Sequence, residues 1–329
     1  MNMNEQIIRI FLDHPNQYIS GEKLSEELNC SRTAIWKHIQ ALKKKGYIFE
    51  STPRLGYRIL KTPPDPLNVN RLSSELNTQC MGLNIKYVQE VGSTQTMAAE
   101  MVKMGAKEGT VIIAEQQTDG RGRLGRKWFS PPGTGIWMSM ILKPQIPLQF
   151  IHQLTLLISV AVCRVIKRFL ELDAEVGIKW PNDIYINGKK VCGILLESSA
   201  EDERVKHVIA GIGISVNLQQ NDIPEELKEK MTSLSIEAGI ECDREQLLIS
   251  LFKEMEELYL LYLSEGFAPI RILWEALSIC LHCPIQVHTH QGIVKGKAYG
   301  MDEMGALMII DEEGNEHKIY SGDVSLSLV

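Results

Sequence analysis

Gly120-Arg121-Gly122-Arg123-Leu124-Gly125-Arg126-Lys127-Trp128 sets four cations and three glycines into nine residues. Glycine lets the main chain adopt conformations closed to other residues and approach a ligand closely, and each guanidinium offers a fork of donors matched to carboxylate or phosphate. Such a loop is suited to an anion. It is not a P-loop, since no G-x-x-x-x-G-K-[ST] occurs, and it does not read as a dinucleotide fingerprint. The plain alternative is a solvated basic hairpin.

Around that loop, 329 residues exceed one average domain, and a hydrophobic content of 44% can support more than one core. No run of eighteen apolar residues occurs, and Met1-Asn2-Met3-Asn4-Glu5-Gln6 lacks the cationic-then-apolar pattern of a secretory signal, so a cytoplasmic protein with no membrane partner is expected. Seven cysteines without a framework spacing fit a reducing compartment. Cys280-Leu281-His282-Cys283, with His288 and His290 nearby, suggests zinc, but no second C-x-x-C completes it and the flanks are apolar, so no metal site is expected there. Net charge is −6, yet residues 1–62 hold ten Lys or Arg against six acids, a balance of +4 that leaves −10 for the rest. That asymmetry points to a small basic module on an acidic body.

The basic module reads as three helices and a hairpin. Ile7, Ile8, Phe11 and Leu12 lie at helical spacing over 5–12, Ser20 can cap a helix over 21–28, and Ser31 can cap a third that runs to about Lys45 before Gly46. Ala34, Ile35, Ile39 and Leu42 share one face of the third helix. Ser31, Arg32, Thr33, Trp36, Lys37 and Gln40 lie at its start and on the other face. Strand-like segments 47–51 and 57–60 flank a turn carrying Arg54. This is the pattern of a winged helix-turn-helix, with those polar residues and Arg54 as the DNA-binding set.

Lys61-Thr62-Pro63-Pro64-Asp65-Pro66 is a stiff linker. Beyond it, strands alternate with helices to about residue 275, including helices near 95–104 and 149–170 and one helical stretch over 244–276. Five short strands then follow between turns. The expected organisation is α+β and multidomain: a winged helix-turn-helix over 1–62, a linker over 63–66, a mixed α/β domain over 67–275, and a small β-barrel over 276–329.

Three stretches of the central domain are unlike ordinary core: the basic loop with its approach Glu115 to Asp119, Lys179-Trp180-Pro181-Asn182-Asp183, and Gly188-Lys189-Lys190-Val191-Cys192-Gly193. Each alone could be a simple turn or solvated hairpin. Together, several cations, an Asn-Asp able to meet a hydrated Mg²⁺ and a tryptophan suit the joining of a carboxylate to a nucleotide phosphate, chemistry that needs no enzyme nucleophile. These motifs, with Gly211-Ile-Gly-Ile-Ser-Val-Asn217, resemble the biotin protein ligases, and the winged helix resembles their bifunctional class, which also represses the biotin operon.

The resemblance implies a ligase central domain and an SH3-like C-terminal barrel. It implies an enzyme that joins biotin to ATP as biotinyl-5′-adenylate, with Mg as part of the co-substrate and no permanent cofactor, and passes biotin to a lysine of a biotin carboxyl carrier protein. It casts Arg121 and Lys190 as catalytic. Ser93, Thr94, Gln95, Gln117, Arg121, Gly122, Arg123, Trp128, Asn182, Asp183 and Lys190 would bind biotin and its adenylate, with any magnesium near Asp183 and Trp128 closing over adenine. The family often has Ser-Thr-Asn where this chain has Ser93-Thr94-Gln95. The adenylate-bound form would be a homodimer on operator DNA. Two alternatives stay open: a transcription factor that senses a small carboxylate without ligase activity, and a ligase whose N-terminal domain does not read DNA.

Overall fold

Three helices and a two-stranded sheet make up the described part of the first of two units into which the chain divides, Met1–Asp65 and Pro66–Val329. The computed structural model describes residues 3–44, 46–62, 66–170 and 174–326, so most of the 63–66 linker lies outside the described residues.

In the first unit, α1 (Met3–Asp13), α2 (Gly21–Glu27) and α3 (Arg32–Lys44) precede β1 (Ile48–Thr52) and β2 (Gly56–Lys61). The caps form as their spacing implies: Ser20 Oγ accepts the N–H of Lys23 at 3.0 Å and Ser31 Oγ that of Ala34 at 3.2 Å. Gly46 takes φ 91°, the left-handed stop expected of it. Ile7, Phe11, Leu24, Ile35 and Ile39 form the fully buried centre. Leu12, expected on the inner face, is 56% exposed, and Ile10 is buried instead. The inward stripe of α1 is thus 7, 10 and 11, the i, i+3, i+4 set of a helix that starts at Met3. The hairpin is tied to the helices by a short bridge, with Ile19 N–H to Tyr57 O at 2.8 Å and Tyr57 N–H to Ile19 O at 2.9 Å.

The second unit is built on a seven-stranded sheet in the order β3-β4-β5-β9-β8-β7-β6. β3 (Ile85–Val91) and β4 (Val111–Gln117) run parallel, because α5 (Thr94–Lys103) carries the chain back between them. The other neighbours are antiparallel: β5 (Gly135–Leu142), β6 (Val176–Lys179), β7 (Asp183–Ile186), β8 (Lys189–Glu201) and β9 (Arg204–Ser215). Every residue of β5 is buried, Ser139 included, as its largely apolar sequence predicts for a strand covered on both faces. α6 (Ile151–Leu170) is long and apolar enough to span a membrane, but 67% of its apolar window is buried inside the protein, so it reads as a core helix.

Two short helices were not legible in advance, α4 (Val69–Glu75) and α7 (Leu234–Ala238). The single helical stretch expected over 244–276 is two helices, α8 (Arg244–Glu265) and α9 (Ala268–Leu277), broken where Gly266 takes φ 79°. The last five strands, β10 (Pro284–Thr289), β11 (Gly292–Met301), β12 (Leu307–Ile310), β13 (Glu316–Ile319) and β14 (Asp323–Leu326), pair antiparallel in the order β13-β12-β11-β10-β14. The expected barrel is therefore an open sheet: closure needs hydrogen bonds between the edge strands β13 and β14, and none forms among the described residues. Its inner residues Ile285, Val287, Ala298 and Leu307 belong to the same core as β5 and α6.

An ion pair sits inside this unit. Arg244 Nη1 lies 2.8 Å from Glu115 Oε2, with both side chains under a tenth exposed. Glu115 Oε1 also accepts the N–H of Leu67 at 2.6 Å and the hydroxyl of Tyr87 at 2.9 Å, and burial beside that carboxylate pushes the Tyr87 pKa up. Arg244→Met would leave the Glu115 charge buried and unpaired, a loss of about 3–5 kcal/mol. Urea unfolding of the variant measures it, and a change below about 1 kcal/mol would contradict the reading.

Candidate functional site

β4 ends at Gln117 and delivers the chain into the basic loop beside the start of α5, so the cations and the Ser93-Thr94-Gln95 turn face one cleft. Every residue expected to bind substrate lines it, including Asn182 and Asp183 at the start of β7 and Lys190 on β8. The cleft opens to solvent. Its lining carries five cations, Arg121, Arg123, Arg126, Lys127 and Lys190, against the carboxylates of Asp183 and Asp323. That excess favours an anion.

The floor is made of glycines because side chains rest on backbone there. A Cβ at Gly213 would lie 2.3 Å from Trp128 Nε1, and one at Gly211 would lie 3.0 Å from the Gln95 amide carbon. Trp128 thus lies flat in the cleft, and Lys190 Nζ stands 5.2 Å from its ring centroid. The same ammonium is 2.7 Å from Asp183 Oδ1. The hairpin turn at Asn187 and Gly188, both at positive φ, brings Lys190 to that wall.

The basic loop is itself a hydrogen-bonded hairpin. Trp128 N–H reaches Gly120 O at 2.8 Å and Gly122 N–H reaches Arg126 O at 2.7 Å, while Leu124 and Gly125 turn the tip at φ 56° and 72°. Gly120, Gly122 and Gly125 do carry G-x-G-x-x-G spacing, so spacing does not exclude a dinucleotide fingerprint. Context does: the loop runs on to the antiparallel strand β5, where a fingerprint would open a crossover helix.

The arginines are held rather than free. Arg121 donates to Thr96 Oγ1 at 2.9 Å, and Arg123 donates to Asn182 Oδ1 at 3.0 Å and to Gly322 O at 3.2 Å. Arg126 pairs with Asp323. Asp323 and Gly322, at the entry to β14, meet these arginines although the sequence motifs did not point to them.

At the polar end, Thr94 and Gln95 are 2% and 3% exposed. Gln95 Nε2 is bound by Glu197 Oε2 at 3.1 Å, whereas Gln95 Oε1 and Ser93 Oγ are buried without hydrogen-bond partners. Among the described residues no group of three His, Cys, Asp or Glu could hold a metal ion. Cys280, half of the C-x-x-C pair, is buried with its sulfur 3.4 Å from the N–H of Trp180.

In the first unit, Ser31, Arg32, Thr33, Trp36, Lys37 and Arg54 are all exposed and Gln40 is half-buried. Trp36 is 52% exposed, unusual for an aromatic with no structural burial to provide.

A cationic cleft on a mixed sheet, with a separate winged helix, defines a ligase-type catalytic unit carrying a DNA-reading module. The comparisons agree. The Biotin/lipoate A/B protein ligase family matches residues 87–215, an HTH domain matches 4–58, and the Biotin protein ligase C terminal domain matches 284–327. The chain is 45% identical to the bifunctional ligase/repressor BirA of Bacillus subtilis over 98% of each chain, and 32% identical to that of Escherichia coli over 94% of this chain and 93% of the other. The biotin protein ligase of Aquifex aeolicus, solved in complex with biotin and ATP, superposes with a TM-score of 0.64 at 33% identity, covering 75% of this chain and 99% of that one. The chain belongs to the bifunctional ligase/repressor family of biotin protein ligases.

Proposed function

We propose that the cleft joins the biotin carboxylate to the α-phosphorus of ATP, releasing pyrophosphate, and holds the biotinyl-5′-adenylate until the amine of a carrier-protein lysine attacks its acyl carbon and AMP leaves. The observation that carries this is the union, in one cleft, of a cationic loop with a buried polar end whose Gln95 Oε1 and Ser93 Oγ have no protein partners. A cyclic urea supplies two N–H donors and one carbonyl, so biotin's ureido ring can satisfy both, and Gln95 becomes a direct contact. Arg121 and Lys190 then neutralise charge gathering on the phosphoryl oxygens, Arg123 and Asn182 steady the phosphate side, and Trp128 packs on the adenylate. Magnesium enters with ATP as part of the co-substrate, with Asp183 the carboxylate able to meet it, and no permanent cofactor is required.

The adenylate-bound form acts as a homodimer through the central sheet. Supporting this, β8 pairs with β7 only from Lys189 to Gly193, so from Leu195 to Glu201 it has β9 as its one strand partner among the described residues. That open edge can pair with a second copy or with a carrier protein. The dimer presents two copies of α3 to an operator, working in the cytoplasm without a membrane. Incubation with biotin, MgATP and a biotin carboxyl carrier domain tests the ligase reading: the carrier should gain one biotin. An unmodified carrier would leave only a small-carboxylate sensor. For the DNA reading, Lys37→Ala is expected to weaken operator binding about ten-fold and lower its salt slope by about one. Equal slopes for variant and wild type would remove Lys37 from the interface.

A further inference from the structure

Two backbone groups fix the orientation of the Gln117 amide from opposite sides. The N–H of Thr94 can only donate, and it reaches Gln117 Oε1 at 2.9 Å. The carbonyl of Trp128 can only accept, and it lies 3.1 Å from Ser130 Oγ. Ser130 therefore donates there and accepts from Gln117 Nε2, 3.1 Å away. The Thr94 hydroxyl donates to the same Gln117 Oε1 at 3.1 Å and accepts from Ser139 Oγ at 2.8 Å. The result is a one-way chain from Ser139 through Thr94, Gln117 and Ser130 to the Trp128 carbonyl. Its three hydroxyl residues, Ser139, Thr94 and Ser130, are 0%, 2% and 4% exposed.

The chain also fills the space over the first residue of the basic loop. A Cβ at Gly120 would lie 2.7 Å from Trp128 O, 2.8 Å from Ser130 Oγ and 3.2 Å from Gln117 Nε2. Only a glycine fits under it.

We propose that Ser130 is a positioning residue for adenylate formation, transmitting the setting of Gln117 and Thr94 to the closing residue of the basic loop, with Ser139 as the far anchor of the same chain. The inference rests on the reading that the Thr94–Gln117 end holds biotin and the loop holds the adenylate. It has a specificity consequence: with Oε1 taken twice and one amide hydrogen given to Ser130, Gln117 offers a ligand a single N–H donor. The group it meets must be an acceptor.

The test is a double-mutant cycle on the full chain, with Ser130→Ala, Ser139→Ala and the pair. The readouts are the rate of biotinyl-adenylate formation and biotin affinity without ATP. Each single change is expected to slow formation about ten-fold, and the pair to be no more than about three-fold worse than the slower single, because either cut opens the same chain. Biotin affinity should fall less than about three-fold in Ser130→Ala, and Ser130→Thr, which keeps the hydroxyl, should restore the rate. Effects that multiply to about a hundred-fold in the pair, or a Ser130→Ala rate equal to wild type, would overturn the proposal. Wild-type protein that makes no biotinyl-adenylate would instead overturn the underlying reading of the cleft.

Discussion

Lys190→Ala is expected to slow adenylate formation by about 10²- to 10³-fold while leaving the thermal midpoint nearly unmoved. The ammonium stands between Trp128 and Asp183, 2.7 Å from the carboxylate, on a side chain 27% exposed at the cleft wall. In the proposed chemistry, removing it takes away a cation that meets the charge gathering on the phosphoryl oxygens. It also takes away the ammonium partner of the Asp183 carboxylate at the cleft wall. The biotin requirement should rise as well. Lys190→Arg should rescue poorly, since a planar fork over the indole and against Asp183 does not reproduce a compact ammonium. Pyrophosphate release under single-turnover conditions reads the effect, and a rate within about three-fold of wild type would remove Lys190 from the chemistry.

The second large effect lies in the other unit. Gly56→Ala places a Cβ 2.1 Å from the carbonyl oxygen of Ile19, at a φ of +103° that a side chain rarely adopts. The same carbonyl accepts the N–H of Tyr57, so the hairpin cannot shift away without breaking the bridge that ties it to the helices. A cost of about 3 kcal/mol to the winged helix follows from the clash and the backbone strain together. Operator footprinting should fail while biotin transfer continues at the wild-type rate, because the winged helix and the cleft lie in separate compact units. Full operator occupancy by the variant would contradict this account of the wing.

The winged helix was legible because independent local signals agreed: two serine caps, a stop glycine, one apolar face and a turn between strand-like runs. The strand order of the central sheet was not legible, nor were α4 and α7, helices of seven and five residues too short to show a period. The break at Gly266 did carry a local signal, a stop glycine followed by Pro269 in the first turn of the next helix. Within the cleft, the residues expected from the motifs do meet, since the basic loop, the start of α5, the entry to β7 and the start of β8 all open on one end of the same sheet. Asp323 stayed invisible because it reaches Arg126 across 197 positions of sequence. The relay through Ser130 and Ser139 was equally hidden, as serines in strand-like surroundings carry no sign of what they bond. The loop itself, first suited only to an anion, is a closed hairpin whose arginines are already steered by Thr96, Asn182 and Asp323.

The most direct test of the central claim is native mass spectrometry of the protein after incubation with biotin and MgATP, followed by addition of a biotin carboxyl carrier domain. One biotinyl-5′-adenylate should be retained per chain, and adding the carrier should discharge it as a single biotin on the carrier lysine. A chain that retains no adenylate and leaves the carrier at its original mass would contradict the account.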